Sequence, residues 1–201
     1  MAKAVIFDYG VGNLLSLKCA LNRVGFNVAI GTSGQDLMDT DVIVLPGVGN
    51  FMSAVKKLDC VREVIKNKVA EGVSLLGICL GLQLFFEASA EGSGDGLSFF
   101  KGNVIRLHGD LKIPHIGWNT VNLTKSCELF DGVADNAYVY FVHSFHSIPT
   151  DESVVCAKTT YGTTFVSAVA DKNMYGFQFH PEKSGDIGLQ ILRNFAIMVT
   201  R

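Results

Sequence analysis

The chain has 201 residues, of which 48% are hydrophobic and 18% charged, and its formal net charge is -2 at pH 7. This length is enough for one hydrophobic core of ordinary size, so we expect one domain over residues 1–201. The lysines and arginines are scattered rather than clustered, which argues against a nucleic acid or an anionic membrane as partner.

The N-terminus and the cysteines indicate the cellular compartment. MAKAVIFDYG turns polar after four apolar residues, which is too short for a signal-peptide core, and the longest apolar run, residues 73–86, is too short to span a bilayer. The five cysteines are widely spaced and never form a C-x-x-C pair, which argues against a disulfide framework or a zinc site. We therefore expect a soluble, unprocessed chain of the cytoplasm.

The first half of the chain alternates short apolar runs with helical patterns, which is typical of an α/β fold. KAVIFDYG, NVAIGT, DVIVLPG and VSLLGI predict buried parallel strands, and two amphipathic stretches predict helices that end at Gly25 and Gly72. Short β segments over residues 102–179 predict antiparallel additions to the same sheet, and SGDIGLQILRNFAIMV predicts a closing helix. The sequence thus predicts a single-domain, three-layer α/β fold, with a mostly parallel central sheet and helices on both faces.

Cys79 lies between Gly77 and Gly81, where the run VSLLGI turns directly into a helix that begins near Leu80. In G-x-S-x-G hydrolases the nucleophile occupies such a strained strand-to-helix corner, and glycines prevent a collision with the neighbouring turn. The free N–H groups at a helix start also favour a thiolate. Cys79 is therefore a candidate nucleophile, with a small buried hydrophobic residue as the alternative interpretation.

The segment GFQFHPEKS supplies a candidate base, His180, and a candidate carboxylate, Glu182. Side chains two apart on a strand share a face, so Glu182 can accept one imidazole N–H and leave the other nitrogen free as a base. A nucleophile, a base and an orienting carboxylate together make a catalytic triad. Alone, an H-x-E pair at a strand end is more often a surface pair.

The glycine loop in VIVLPGVGNF, residues 46–49, is a candidate part of an oxyanion hole. Acyl transfer needs two N–H donors for the developing oxyanion, and the residue after the nucleophile, Leu80, is one natural donor. Val48 can supply the other, because the flanking glycines permit its peptide plane to rotate. Taken in isolation, the segment equally fits an ordinary strand-to-helix turn.

Together, GICLGLQ, HPEKS and LPGVGNF resemble the class I, or triad-type, glutamine amidotransferases. With DYGVGNLLSL, PHIGWN and YFVHSFHS, their order and spacing are most similar to those in glutaminase subunits of imidazole glycerol phosphate synthases, from histidine biosynthesis. Asn50 and His146 are small departures that leave the proposed triad untouched. The resemblance implies that Cys79 is the nucleophile, His180 the general base and acid, and Glu182 its orienter.

The resemblance also implies roles for residues around the triad. Val48 and Leu80 would form the oxyanion hole, and the substrate L-glutamine would be held by Gly49, Gln83, His143 and Ser144. On residue type alone, Gln83 is equally a solvated helix residue and His143 a satisfied strand histidine. A last set is interpreted as turn residues: Asp8, Gly10 and Asn13.

The implied chemistry is hydrolysis of the glutamine side-chain amide through a cysteinyl thioester, which releases glutamate and ammonia without a metal or organic cofactor. The implied partner is a (β/α)8-barrel cyclase subunit in a heterodimer, which uses the ammonia to make imidazole glycerol phosphate and an aminoimidazole carboxamide ribotide. Trp118 and Lys183 are expected at the partner interface. For Trp118 the alternative is a place in the core. The isolated subunit is expected to be a poor glutaminase with an incomplete oxyanion hole.

Three other functions compete with this interpretation. A glutaminase subunit of another amidotransferase, such as anthranilate synthase, would be activated by a different synthase. A stand-alone cysteine hydrolase of the same fold would turn over esters or peptides without a partner. A non-catalytic binding module would lack a reactive thiol at Cys79.

Overall fold

The computed structural model describes residues 1–10 and 12–201. Its strands are β1 (Lys3–Phe7), β2 (Asn27–Gly31), β3 (Val42–Leu45), β4 (Ser74–Ile78), β5 (Ala88–Ser89), β6 (Gly102–Arg106), β7 (His115–Leu123), β8 (Ala137–His143), β9 (Phe145–Pro149), β10 (Val155–Tyr161), β11 (Thr163–Asp171) and β12 (Met174–Phe177). Its α-helices are α1 (Leu14–Arg23), α2 (Phe51–Leu58), α3 (Arg62–Ala70), α4 (Leu80–Gln83) and α5 (Gly185–Val199). None of these helices is long and apolar enough to cross a membrane.

A nine-stranded sheet forms the centre of the fold, in the order β2-β1-β3-β4-β12-β11-β10-β7-β8. The first five strands in this order pair in parallel. The other four extend the sheet by antiparallel pairing. The carboxyl ends of β3, β4 and β12 therefore meet at one edge, and functional sites of open α/β sheets are built at such an edge.

Alternate residues of the parallel strands pack against helices on opposite faces of the sheet. On β1, Ala4 and Ile6 join the apolar cluster that contains the buried side chains of α1 and α5. Val5 and Phe7 of the same strand join the cluster that contains those of α2 and α3. The predicted three-layer α/β arrangement is confirmed.

Two predictions for the second half of the chain are wrong. Strand β12 is not an antiparallel addition, because it lies between β4 and β11 and pairs in parallel with β4. Its four residues are all buried, as the two-sided cover of a central strand requires. Strand β6 lies in a separate three-stranded sheet with β5 and β9. The nine-residue strand β7, which contains the motif PHIGWN from His115 onward, was not among the predicted strands.

The residues interpreted as turn formers have that role. The Asp8 Oδ1 atom accepts the Gly10 N–H at 2.7 Å, and the Asn13 side chain caps α1 by accepting the Ser16 N–H. Asn50, a departure from the family pattern, caps α2 in the same way. Val11, within the motif DYGVGNLLSL, lies outside the described residues.

Candidate active site

The predicted strand-to-helix corner is present at Cys79. This residue has φ 52° and ψ -103°, a strained conformation for a residue with a side chain, and it joins β4 to α4. A Cβ atom on Gly81 would lie 1.9 Å from the Leu45 carbonyl oxygen, and one on Gly77 would lie 2.7 Å from the Gly81 backbone. The corner therefore requires both glycines. The helix behind it is shorter than expected, since α4 is a single turn.

A cavity of about 200 Å³ opens at this corner. The structure brings to its wall the candidate nucleophile and all the residues expected to form the oxyanion hole or to hold the substrate: Val48, Gly49, Cys79, Leu80, Gln83, His143 and Ser144. Glu91, which the sequence analysis missed, also lines the cavity, and its Oε2 atom accepts the Phe51 N–H at 2.6 Å. No local pattern marked Glu91, because its contact partner lies 40 positions away.

His180 and Glu182 form the predicted pair, with Nδ1 and Oε1 2.8 Å apart and side chains only 4% and 5% exposed. The expected reason for this pairing is wrong. The two residues do not share a strand face, because β12 ends at Phe177 and residues 181–183 form a 3₁₀ turn that starts with Pro181. The proline fixes the backbone at the first position of this turn and so brings the carboxylate back toward the imidazole.

The pKa of the His180 imidazole is raised although the ring is buried. Burial lowers the pKa of its imidazole, but Cys79 and Glu182 together outweigh burial and raise the pKa to about 10. Within the described part of the chain, neither the Nε2 atom of His180 nor the Oε2 atom of Glu182 has a hydrogen-bond partner. When His180 is protonated, its Nε2–H is therefore free to donate. His180 and Glu182 line a smaller cavity of about 60 Å³, and Val48 lines both cavities.

The predicted oxyanion donors do not point together in this conformation. The Leu80 N–H donates to the Gly47 carbonyl oxygen at 3.4 Å. Because a trans peptide holds its C=O and N–H on opposite sides, the Val48 N–H of the same peptide points away from Leu80. The buried hydroxyl of Tyr9 donates to the Pro46 carbonyl oxygen and so holds the neighbouring peptide as well. Sequence analysis did not find Tyr9, since its partner lies 37 positions away.

Comparison with known proteins identifies the family. Residues 5–199 match the family model of class-I glutamine amidotransferases. The chain belongs to this family. The HisH subunit of imidazole glycerol phosphate synthase from Methanocaldococcus jannaschii is 47% identical over 94% of this chain and 96% of that protein. The HisH subunit from Aquifex aeolicus is 48% identical over 96% of this chain and 95% of that protein.

Solved structures agree with the fold of this amidotransferase. A putative GMP synthase subunit from Thermoplasma acidophilum superposes with a TM-score of 0.78 at 23% identity, covering 100% of this chain and 94% of that one. The PurLQS structure from Thermotoga maritima gives a TM-score of 0.79 at 18% identity, covering 98% and 99% of the two chains. At these identities the likeness concerns the fold alone.

In this amidotransferase a buried serine connects strand β8 to the His180 turn. The Ser184 hydroxyl donates to the His180 carbonyl oxygen at 2.6 Å and accepts the Tyr140 N–H at 3.0 Å. The His180 N–H in turn donates to the Tyr140 carbonyl oxygen at 2.9 Å. Displacement of β8 would therefore move the backbone of His180. Sequence analysis did not single out Ser184, although it lies inside the quoted motif HPEKS.

Two further buried histidines of the amidotransferase are neutral. The Nδ1 atom of His143 lies 2.9 Å from the Phe145 carbonyl oxygen. The Nε2 atom of the same ring lies 3.0 Å from His115 Nδ1. A carbonyl only accepts, so His143 carries its proton on Nδ1 and accepts the His115 N–H at Nε2. Burial lowers the pKa of His143 to about 3 and that of His115 to about 4. Both rings are buried, so the alternative of a satisfied strand histidine describes the bonding of His143 correctly.

Because these histidines are neutral in the folded chain, we expect the chain to become less stable as the pH falls. Between about pH 6.5 and pH 4 the unfolded chain binds protons that folded His115 does not, so the free energy of unfolding falls as pH falls. At pH 5 the loss for one such histidine is about 2 kcal/mol. We expect the His115→Gln variant to have a lower free energy of unfolding than the unmodified chain at pH 7.5. Between pH 7.5 and pH 5, however, this free energy should fall by about 1 to 2 kcal/mol less in the variant than in the unmodified chain. Urea unfolding at the two pH values measures the difference. His108→Gln, at an exposed site, is the control. Equal losses in the unmodified chain and the His115 variant would contradict the assignment.

Proposed function

We propose that this chain is the glutaminase subunit of an imidazole glycerol phosphate synthase and that Cys79, His180 and Glu182 are its catalytic triad. The observation that carries the proposal is the strained Cys79 corner, which opens into a cavity that shares Val48 with the smaller cavity lined by the His180–Glu182 pair. The HisH relatives, at 47% and 48% identity over nearly the full chain, support the choice of this synthase over other amidotransferases.

The size of the cavity supports an amino acid as substrate. At about 200 Å³ it is smaller than the roughly 300 to 1,000 Å³ typical of sites for drug-sized ligands. An L-glutamine molecule has three groups to satisfy: an ammonium, a carboxylate and the side-chain amide. Gly49, His143 and Ser144 supply main-chain and hydroxyl groups on the wall, because both ring nitrogens of His143 are already hydrogen-bonded. The Gln83 nitrogen makes two hydrogen bonds within the protein, which leaves the oxygen of the same amide for the substrate. These four residues are proposed to hold the substrate.

The raised pKa of His180 supports a thiolate–imidazolium pair with Cys79. The Cys79 thiolate attacks the side-chain amide carbon of glutamine and forms a C–S bond and an oxyanion. The imidazolium then gives its proton to the departing nitrogen as the C–N bond breaks, so that ammonia leaves. The neutral imidazole next takes a proton from water, which attacks the thioester and frees glutamate and Cys79.

The conformation of the glycine loop, residues 46–49, supports a glutaminase that is switched on by its partner. In this conformation Gly47 presents its carbonyl to Leu80, so the N–H that would stabilise an oxyanion is already used. Rotation of the Gly47–Val48 peptide would release the Leu80 N–H and turn the Val48 N–H toward the cavity. One missing oxyanion donor costs on the order of a hundred- to a thousand-fold in rate. We propose that the bound partner and its substrate drive this rotation.

The surface of strands β7 and β8 supports the proposed docking site of a barrel-shaped cyclase. Trp118 is 55% exposed, so the core alternative for this residue is wrong, and Ile116 and Tyr138 are exposed beside it. Trp118 packs edge-on against Tyr140, and Lys183 Nζ lies 6.0 Å from the centre of the same Tyr140 ring. Trp118 and Lys183 thus border one surface next to the His180 turn, where ammonia would leave.

The first test separates ammonia production from ammonia use. In the complex with the cyclase, we expect Cys79→Ala to abolish synthesis from glutamine and to leave synthesis from added ammonium salts unchanged, because the second active site needs only ammonia. Cys60→Ala, which changes an exposed free cysteine, should leave both rates unchanged. Glutamine-dependent synthesis by the Cys79 variant would remove this residue from the role of nucleophile.

A second test addresses the interface. Trp118→Ala should weaken binding to the cyclase by about 2 kcal/mol or more, since exposed tryptophans at interface centres are frequent hot spots. Met38→Ala is the matched control, because Met38 is exposed to a similar degree, 50%, but lies elsewhere on the chain. Titration calorimetry of both variants with the cyclase measures the difference. Equal affinities for the two variants would contradict the proposed surface.

A further inference from the structure

Gln178 lies against the proposed nucleophile, and the sequence analysis gave it no role although it lies inside the quoted segment GFQFHPEKS. It is the first residue after β12, and Cys79 is the first residue after β4. These strands are parallel neighbours, with Phe177 paired to Ile78, so the two following residues meet at the same edge of the sheet. Gln178 is completely buried, and its Nε2 atom lies 3.4 Å from Cys79 Sγ.

The orientation of the Gln178 amide is dictated by its surroundings. The Phe145 carbonyl oxygen can only accept, and it lies 2.9 Å from the Gln83 side-chain nitrogen, so Gln83 must present its NH₂ group there. The same nitrogen lies 3.2 Å from Gln178 Oε1, which must therefore be the acceptor. With its oxygen turned to Gln83, the Gln178 amide directs an N–H at Cys79 Sγ.

The histidines continue this row of hydrogen bonds in one direction. The Phe145 carbonyl that orients Gln83 also accepts the His143 Nδ1–H, and His143 in turn accepts from His115. Asn119 Nδ2 lies 3.4 Å from the remaining ring nitrogen of His115. Because both rings are buried and neutral, no donor or acceptor in the row changes near neutral pH.

We propose that Gln178 is a further catalytic residue of this site: its side-chain N–H holds Cys79 Sγ as a hydrogen-bond acceptor and so favours the thiolate. Gln83, His143 and His115 are positioning residues that fix the Gln178 amide. The inference rests on the proposed function in taking the thiolate as the nucleophile. The S–H of Cys79 can instead point at the Val142 carbonyl oxygen, 3.6 Å away, which suits only the thiol. The Gln178 N–H shifts this balance toward the charged form.

The position of Gln178 predicts a specific kinetic effect. It is fully buried and does not line the cavity, so it has no access to bound glutamine. In the complex, Gln178→Met should therefore lower kcat roughly tenfold, the loss typical of one hydrogen bond to a charged group. The KM for glutamine should change far less, because Gln83 loses its contact to Gln178 but keeps its hydrogen bond to the Phe145 carbonyl. Gln190→Met, the same change at a partly exposed site on α5, should leave both constants unchanged.

The deciding experiment uses the isolated chain and needs neither glutamine nor a partner. Alkylation of Cys79 by iodoacetamide is followed against pH by peptide mass spectrometry, with exposed Cys60 as internal reference. We expect Gln178→Met to slow Cys79 alkylation at pH 7.5 roughly tenfold and to move its pH midpoint up by about one unit. Gln190→Met should match the unmodified chain. A folded Gln178 variant with unchanged Cys79 alkylation would overturn the proposal.

A second measurement covers the case in which the variant does not fold. In the unmodified chain, the side-chain amide resonances of Gln178 should titrate with the same pH midpoint as Cys79 alkylation. In Cys79→Ala this titration should vanish. Resonances that do not move with Cys79 ionisation would overturn the proposal. If both alkylation and resonances behave as expected while the complex shows no glutaminase activity, the proposed function fails and the assignment of Gln178 stands.

Discussion

The close approach of Gly81 to the Leu45 carbonyl is the constraint on which the site depends. It allows α4 to begin directly at the end of β4, and the chain can make this turn only if Cys79 takes a positive φ. The same turn places the Cys79 side chain at the cavity wall and the Leu80 N–H beside it. A larger residue at position 81 would push α4 from β3 and separate these groups. Strain at one residue thus places the proposed nucleophile beside the N–H proposed for the oxyanion hole.

Burial lowers the pKa of all three histidines of the site, and their different partners decide the outcome. His143 and His115 have only neutral partners, so desolvation dominates and keeps them uncharged. His180 is buried to a similar extent, but Cys79 and the Glu182 carboxylate outweigh burial and raise its pKa to about 10. The partners of His180 therefore favour the protonated form of the ring beside the proposed nucleophile. Burial keeps His143, on the cavity wall, and its partner His115 neutral, so their hydrogen bonds are fixed and suited to positioning.

Features encoded by short segments could be predicted from the sequence. The first four strands, the cysteine corner and the glycine loop each depend on residues within about ten positions, and all three are present. The pairing of His180 with Glu182 was predicted for the wrong reason, because a proline turn achieves the same proximity as a strand face. The position of β12 was not readable from its own residues, since a short buried run fits either strand direction.

Contacts between segments that are distant in the sequence could not be predicted from such short segments. Gln178 and Cys79 are 99 positions apart, and Tyr9 meets Pro46 across 37 positions. Each of these side chains is common in ordinary cores, and only the arrangement of the strands shows what it touches. The exposure of Trp118 was expected from the family resemblance, because by itself an aromatic residue on a strand fits the core and the surface equally well.

The central claim is that Cys79 is a reactive thiol in a glutamine-shaped cavity under the control of a partner. Covalent labelling with a glutamine-analogue electrophile, read by peptide mass spectrometry, tests it most directly. We predict a single label on Cys79, protection by L-glutamine, and faster labelling when the cyclase and its substrate are present. Labelling of exposed Cys19 or Cys60 with Cys79 left unmodified, or labelling that glutamine does not slow, would contradict it.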